Sequence, residues 1–282
     1  MPEPRIVMTG LRVGESPRWH DDRLWFSNWG AQEVIAVDSE GESEVVLRVP
    51  TTIPFSIDWL PDGPLLVVSG PESVLLRAEP DGSLVTHADL SGVSSLGFNE
   101  IVVDGRGNTY VNGAGFDLMA GEEFRPGLVA LVTPDGAPRQ VAEGVAFPNG
   151  MAVTADNSTL TVAESYAGRL TAFEIGADGD LSNRRVWADV GGPPDGICID
   201  AEGAVWYADV PNKRCVRVRE GGEVLQTIEL DRGGFACALG GADGSTLFMT
   251  AAEWLGSANM FEGPPTGQVL AVEAPAPGAG WP

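Results

Sequence analysis

Glu15, Asn99, Asn149 and Asp195 place four oxygen-bearing side chains at matching points of a repeated pattern. Each is followed eight residues later by a turn position, namely Arg23, Gly107, Asn157 and Gly203. The same step sets Phe55 ahead of Gly63 and Ala236 ahead of Gly244. Two carboxylates and two amide oxygens suit a hard divalent cation, and two negative charges balance one such ion. Calcium matches the set best, with magnesium, manganese and zinc as the other candidate ions. Four protein oxygens leave coordination positions for water and substrate, as a catalytic ion requires. Single Asn and Asp residues commonly hydrogen-bond loop backbone instead. Four in register across four repeats point to one shared site.

Residues this distant in sequence meet only at a symmetry axis, so the elements that carry them must form a ring. After each site position comes a short apolar strand, as at 57–59, 101–103, 151–153 and 197–199, then a polar turn and a second apolar strand such as Thr109-Tyr110-Val111 or Val205-Trp206-Tyr207. β-Branched and aromatic runs bounded by Asp, Gly and Asn are strand and hairpin chemistry. Five units continue into a further hairpin, for example around Pro80-Asp81-Gly82 and Pro134-Asp135-Gly136. The site positions are 40, 44, 50, 46 and 41 residues apart, the period of four-stranded propeller blades, and no 3.6-residue apolar stripe supports a helical repeat. The sequence therefore predicts an all-β, six-bladed β-propeller occupying residues 1–282 as one domain. Its last unit lacks an outermost strand, and residues 5–8 precede the first unit without a blade of their own. This N-terminal strand is expected to close the last blade and leave no open edge.

The chain holds 17 Lys plus Arg against 40 Asp plus Glu, a formal charge of −23, with Lys213 its only lysine. Such a surface repels phosphate backbones and anionic membranes, so neither nucleic acid nor membrane is an expected partner. No apolar stretch approaches the length of a membrane span, and residues 1–10 lack the apolar centre of a signal peptide. A cytoplasmic location is expected. Cys198, Cys215 and Cys237 fall in apolar strand segments without CxxC spacing and read as buried free thiols. His20 in the first turn and His87 at the end of an outer strand are not placed to act as a base at the axis, which removes serine-triad and His-dyad mechanisms. There is no GxSxG elbow, P-loop or GxGxxG opening a helix.

Gly14-Glu15-Ser16-Pro17-Arg18-Trp19, Phe98-Asn99-Glu100, Pro148-Asn149-Gly150-Met151 and the segment beginning Pro194-Asp195-Gly196-Ile197 resemble the blade-start motifs of the senescence-marker-protein, gluconolactonase and luciferin-regenerating-enzyme family. The Pro-Asp-Gly segment is closest to regucalcin-type members, and the resemblance covers nearly the whole chain. It implies a divalent metal, usually calcium, in the central channel, and hydrolysis of sugar lactones or related esters. It also implies Glu15, Asn149 and Asp195 as metal ligands, Asp195 as a candidate general base, and Asn99 as a substrate-side residue that joins the metal shell in the related fluorophosphatase arrangement. Sugar-lactonase members often carry Arg two residues before that Asn, where this chain has Gly97.

The expected chemistry is attack of water on a lactone carbonyl polarised by the ion, with Asp195 taking the proton. In a competing version the ion itself activates the water and Asp195 only orients it. The loop at residues 113–127 accounts for the longest interval and holds Phe116, Leu118, Met119 and Phe124. It reads either as an apolar lid over the mouth or as a surface insertion packed on the next blade. Trp29, Tyr166 and Trp254 each follow a second strand and wall a pocket in one reading, or pack between blades in another. A small-molecule lactone or ester is thus the expected partner. Phosphotriesterase-like ester cleavage, a biosynthetic lyase or cyclase step, and a non-catalytic binding module are the alternatives that fold alone does not separate.

Overall fold

The structure, a computed structural model, describes residues 3–281. Within them the chain forms six four-stranded antiparallel sheets in sequence order. Blades 1 to 5 cover residues 13–48, 55–89, 101–145, 148–189 and 194–229. Blade 6 combines three strands from 233–273 with Arg5–Leu11, which pairs antiparallel to Gly267–Glu273 with Ile6 opposite Leu270. The expected closure by the N-terminal strand is therefore present. Each innermost strand contacts the next one around the ring, and that of blade 6 returns to that of blade 1. Among the described residues no helix is long and apolar enough to cross a membrane.

Alternation along each strand explains why the blades stack. In Ile101–Val103 the side chains of Ile101 and Val103 pack toward Leu66, Val68 and Leu75 of blade 2, while Val102 packs toward Met151, Val153 and Leu160 of blade 4. The same division recurs at the other junctions, giving six apolar layers between blades rather than one central core. Burying both faces of each sheet in this way supplies most of the stabilisation. It leaves the ring axis free for polar groups. Cys198, Cys215 and Cys237 are free thiols in the layer between blades 5 and 6, with the Cys198 and Cys237 Sγ atoms 3.8 Å apart.

The predicted turn positions Gly63, Gly107, Asn157, Gly203 and Gly244 all adopt left-handed backbone. Blade 1 differs, because Asp21 and Asp22 take the left-handed conformations and Arg23 already belongs to the second strand. A tight two-residue hairpin needs positive φ at both central residues, and it shortens this turn relative to the longer ones elsewhere. Residues 274–281 cross the turn end of the molecule. Ala201 N–H donates to the Pro277 carbonyl, Ala279 N–H to Ile199, and Trp281 exchanges two backbone hydrogen bonds with Val153. The tail thereby ties blade 6 to blades 5 and 4.

Candidate active site

Strand pairing breaks where the site residues lie. The antiparallel register shifts between Glu15 and Arg18, between Pro148 and Met151, and between Pro194 and Ile197. Such bulges turn a side chain away from the regular pleat, here at Glu15, Asn149 and Asp195. Asn99 sits immediately before the regular strand Ile101–Val103, held by its own N–H to the Asn112 carbonyl at 2.7 Å. The residue after Asp195 must be small: a Cβ on Gly196 would lie 2.3 Å from the Ala236 Cβ. Blades 5 and 6 can approach at the axis only because that atom is missing.

The residues that follow the four site positions, Ser16, Glu100, Gly150 and Gly196, line one axial cavity of about 10 Å³, together with Arg18, Met151, Ile197, Ala236 and Cys237. The four site positions each stand directly before one of these lining residues, on four blades. Asn99 Nδ2 lies 3.4 Å from Asn149 Oδ1, and Asn149 Nδ2 lies 3.5 Å from Ser165 Oγ, which in turn donates to the Pro194 carbonyl at 2.7 Å. Glu15 is buried, and its carboxyl is pushed well up, first by burial and then by the charges of Asp195 and Glu100. Asp195 is likewise pushed well up, by burial and by the charges of Glu100 and Asp209. The residue as a whole is half-buried, yet its Oδ1 is shielded from solvent and has no hydrogen-bond partner.

A divalent cation fits this arrangement. Buried carboxylates that repel one another, one with an orphaned oxygen, are costly unless a positive charge joins them. Among the described residues no three His, Cys, Asp or Glu side chains gather as a ready-made cage. An ion would thus depend on the amides of Asn99 and Asn149 as much as on the two acids. A larger cavity of about 280 Å³ lies under the loop containing Leu255, Met260 and Pro264, and none of the four residues lines it. The axial cavity is the one lined by the residues that follow the four site positions.

Three charged residues that sequence reasoning gave no role lie just beneath. The Arg18 guanidinium donates to Glu100 Oε1 at 3.0 Å and to the Ile101 carbonyl at 2.7 Å, and stands 3.6 Å from Asp58 Oδ2. Ser16 Oγ donates to Glu100 Oε1 at 3.1 Å. Arg18, Asp58 and Glu100 come from blades 1, 2 and 3, and all three are buried. Their signal in the sequence is a charged residue inside, or directly before, an apolar innermost strand, one base and two acids in three consecutive units.

The remaining sequence candidates separate cleanly. His20 stacks on Trp59 with ring centroids 4.2 Å apart, and His87 lies in the outermost strand Leu84–Asp89 of blade 2. Trp29 packs between blades, its indole N–H donating to the Phe55 carbonyl at 2.6 Å. Tyr166 instead joins Phe147, Phe116 and Phe124 in an aromatic group, and Trp254 meets Phe235 edge-on. In the 113–127 loop Phe116 is buried and packs on Phe147 ahead of blade 4, while Met119 and Phe124 are exposed. Gly97 has φ +76, and a Cβ there would lie 2.6 Å from the Gly70 carbonyl oxygen. Gly97→Ala is expected to destabilise the fold by more than about 1 kcal/mol, read as a lower urea midpoint. An unchanged midpoint would mean the segment relaxes freely.

A family model described as SMP-30/Gluconolactonase/LRE-like region matches residues 13–253. Regucalcin of Bos taurus is 28% identical over 284 residues, spanning 95% of this chain and 92% of that protein. Pentonolactonase XacC of Haloferax volcanii is 26% identical over 266 residues, spanning 92% and 88%. Of solved structures, a luciferin-regenerating enzyme superposes with a TM-score of 0.83 at 20% identity, over 98% of this chain and 97% of that one, a likeness of fold.

Proposed function

The chain belongs to the SMP-30/gluconolactonase/LRE-like family, and from that premise we propose that it hydrolyses a lactone at the propeller axis, with a divalent cation held by Glu15, Asn99, Asn149 and Asp195. The observation that carries this reading is that Glu15 is a buried acid raised in part by the charge of Asp195, whose own shielded Oδ1 is unpartnered. A relative named pentonolactonase, 26% identical over most of its length, supports the reaction class. When bound, the cation would polarise the lactone carbonyl and offset the charge that develops on its oxygen. The protein's own groups do the rest. Asp195 accepts the proton of the attacking water, the role a positioned carboxylate can fill. The Asn99 side-chain amide, whose Nδ2 faces Asn149 Oδ1 and whose main-chain N–H is held by the Asn112 carbonyl, orients the substrate. Glu15, Asn149 and Asp195 lie on strands braced by the interblade layers. The direct test is a panel of lactones and aryl esters assayed with calcium and with chelator, with products identified. Ring opening that disappears with chelator supports the proposal, and turnover indifferent to chelator overturns it.

Stability provides a second test, with a sign set by the two acids. Glu15 and Asp195 bind protons more tightly in the folded than in the unfolded chain. In ion-free protein their contribution is therefore full below the ordinary carboxylate range of about 4 and is lost as pH rises through their raised folded values. Ion binding runs the other way, because it needs both acids ionised. Calcium is expected to raise Tm little at pH 5 and more at pH 8, by about 2.7 kcal/mol of stability at a hundredfold excess over Kd. Magnesium, manganese and zinc in parallel rank the ions. Equal Tm with every ion and with chelator at pH 8 would dismiss the site.

A further inference from the structure

We propose that the substrate is a lactone bearing a flat aromatic or alkyl group, held against a wall formed by Phe116, Phe124, Phe147 and Tyr166, rather than a polyhydroxylated sugar lactone; this rests on the lactone-hydrolase reading above. The four rings form one continuous surface. Phe147 and Tyr166 stack with centroids 4.7 Å apart and planes 23° apart, Phe124 lies 5.4 Å from Tyr166, and Phe116 lies 5.7 Å from each of the other three. Phe116 is the buried base at 4% exposure, whereas Tyr166 at 51% and Phe124 at 46% offer free faces. Large aromatic faces left open toward solvent, joined to one another and rigidly supported, mark a binding surface.

The wall adjoins the axis through short, defined connections. Phe147 is two residues before Asn149 and holds φ +56, a strained value for a bulky residue. Its carbonyl accepts the Ser165 N–H at 3.1 Å, and the Ala146 carbonyl accepts the Tyr166 N–H at 3.1 Å. Ser165 Oγ is the same group that faces Asn149 Nδ2 and donates to the Pro194 carbonyl next to Asp195. The strand before Tyr166 is pinned by the fully buried Glu164. Burial alone would raise its carboxyl, but Thr171, the Ala146 N–H, Arg184 and Arg169 outweigh that and hold it below its ordinary value. The loop that carries Phe116 and Phe124 follows Asn112, whose side-chain N–H donates to the Asn149 carbonyl at 2.6 Å. Across the mouth, Trp254 meets Phe235, the neighbour of Ala236, to give a second apolar edge.

Groups that would read a polyol are already engaged. Arg125 is held by the Gly115 carbonyl and Glu122, Arg12 by the carbonyls of Phe261 and Gly263, and Arg169 and Arg184 by Glu164. Asp117 accepts the Ala120 N–H, and Glu122 accepts the Asp117 N–H, so these loop acids are spent on the loop itself. Gly97 admits no side chain beside Asn99. A sugar lactone seated against the rings would leave hydroxyls unpaired, and unpaired polar groups discriminate strongly.

The experiment compares dihydrocoumarin and δ-decalactone with D-glucono-1,5-lactone in the calcium-loaded wild type, and in parallel titrates 3,4-dihydro-2-quinolinone, the lactam that cannot be hydrolysed. The two apolar lactones are expected to exceed the sugar lactone in kcat/KM by about tenfold or more, following the cost of unpaired polar groups. Tyr166→Ala and Phe124→Ala, both at exposed positions, are expected to weaken lactam binding by about 5–10-fold. Preference for the sugar lactone, no lactam binding, or equal lactam binding by wild type and both variants overturns the proposal. Lactam binding that depends on the wall, without hydrolysis of any lactone, upholds the aromatic site and rejects the hydrolase assignment.

Discussion

Asp195→Asn is expected to lower kcat/KM for lactone opening by about 10²–10⁴-fold, the range over which a positioned general base contributes. The substitution keeps shape and leaves one oxygen to face an ion, so the axial packing around Gly196 and Ala236 survives. It removes a proton acceptor and one of the two negative charges that would face an ion, so ion retention is read alongside turnover. Oδ1 is the atom to watch, since it alone of the site's oxygens is both shielded and unpartnered. Loss of turnover with calcium-dependent Tm retained assigns proton transfer to Asp195. In wild type the pH–rate profile should show a rising limb for ionisation of the base, and that limb should vanish in the variant. If the variant keeps both its ion and full turnover, Asp195 is a ligand and no more.

Arg18→Ala is expected to cost about 3–5 kcal/mol of folding stability, the usual penalty for deleting one partner of a buried ion pair. The guanidinium serves two acids at once, Glu100 and Asp58. Both are buried, and for each burial is the largest influence on the carboxyl, opposed next by Arg18. Without it the two acids must take up protons to remain folded, so the deficit should be greater at pH 8 than at pH 5. Urea melts at both values read this directly. Arg18→Ala combined with Asp58→Asn and Glu100→Gln should recover a substantial part of the loss, because no uncompensated charge remains. A single variant with a wild-type midpoint would show that water reaches these acids and that the charged layer contributes nothing.

The ring was readable because its determinants are local. Left-handed turn residues such as Gly107 and Gly203 must recur wherever a hairpin reverses, and they mark the blade period in the sequence itself. The site positions followed because a fixed step from each turn reaches the same end of every innermost strand. What escaped is what depends on packing between units. The bulges at Glu15, Asn149 and Asp195 have no composition of their own, since they arise where neighbouring strands crowd the axis. Arg18, Asp58 and Glu100 were visible as misplaced charges, but only the closed ring makes them neighbours. Phe147 and Tyr166 belong to opposite ends of adjacent strands, and their stacking could not be read from spacing. The tail at 274–281 is rich in Pro, Gly and Ala and alternates nothing, so its pairing with Val153 and Asp200 left no periodic trace.

That tail, together with the Arg18 layer, gives the protein a traffic rule. One side of the axis is crossed by backbone bonded to Ile199 and Val153, and the space above it has room for about one water. A site reached only from the other end would be a blind well with one opening. Whatever sits deepest must arrive first and leave last, so a resident ion would exchange in the intervals between substrates. Saturating substrate should then slow ion loss to a chelator, and the delay would lengthen with substrate affinity.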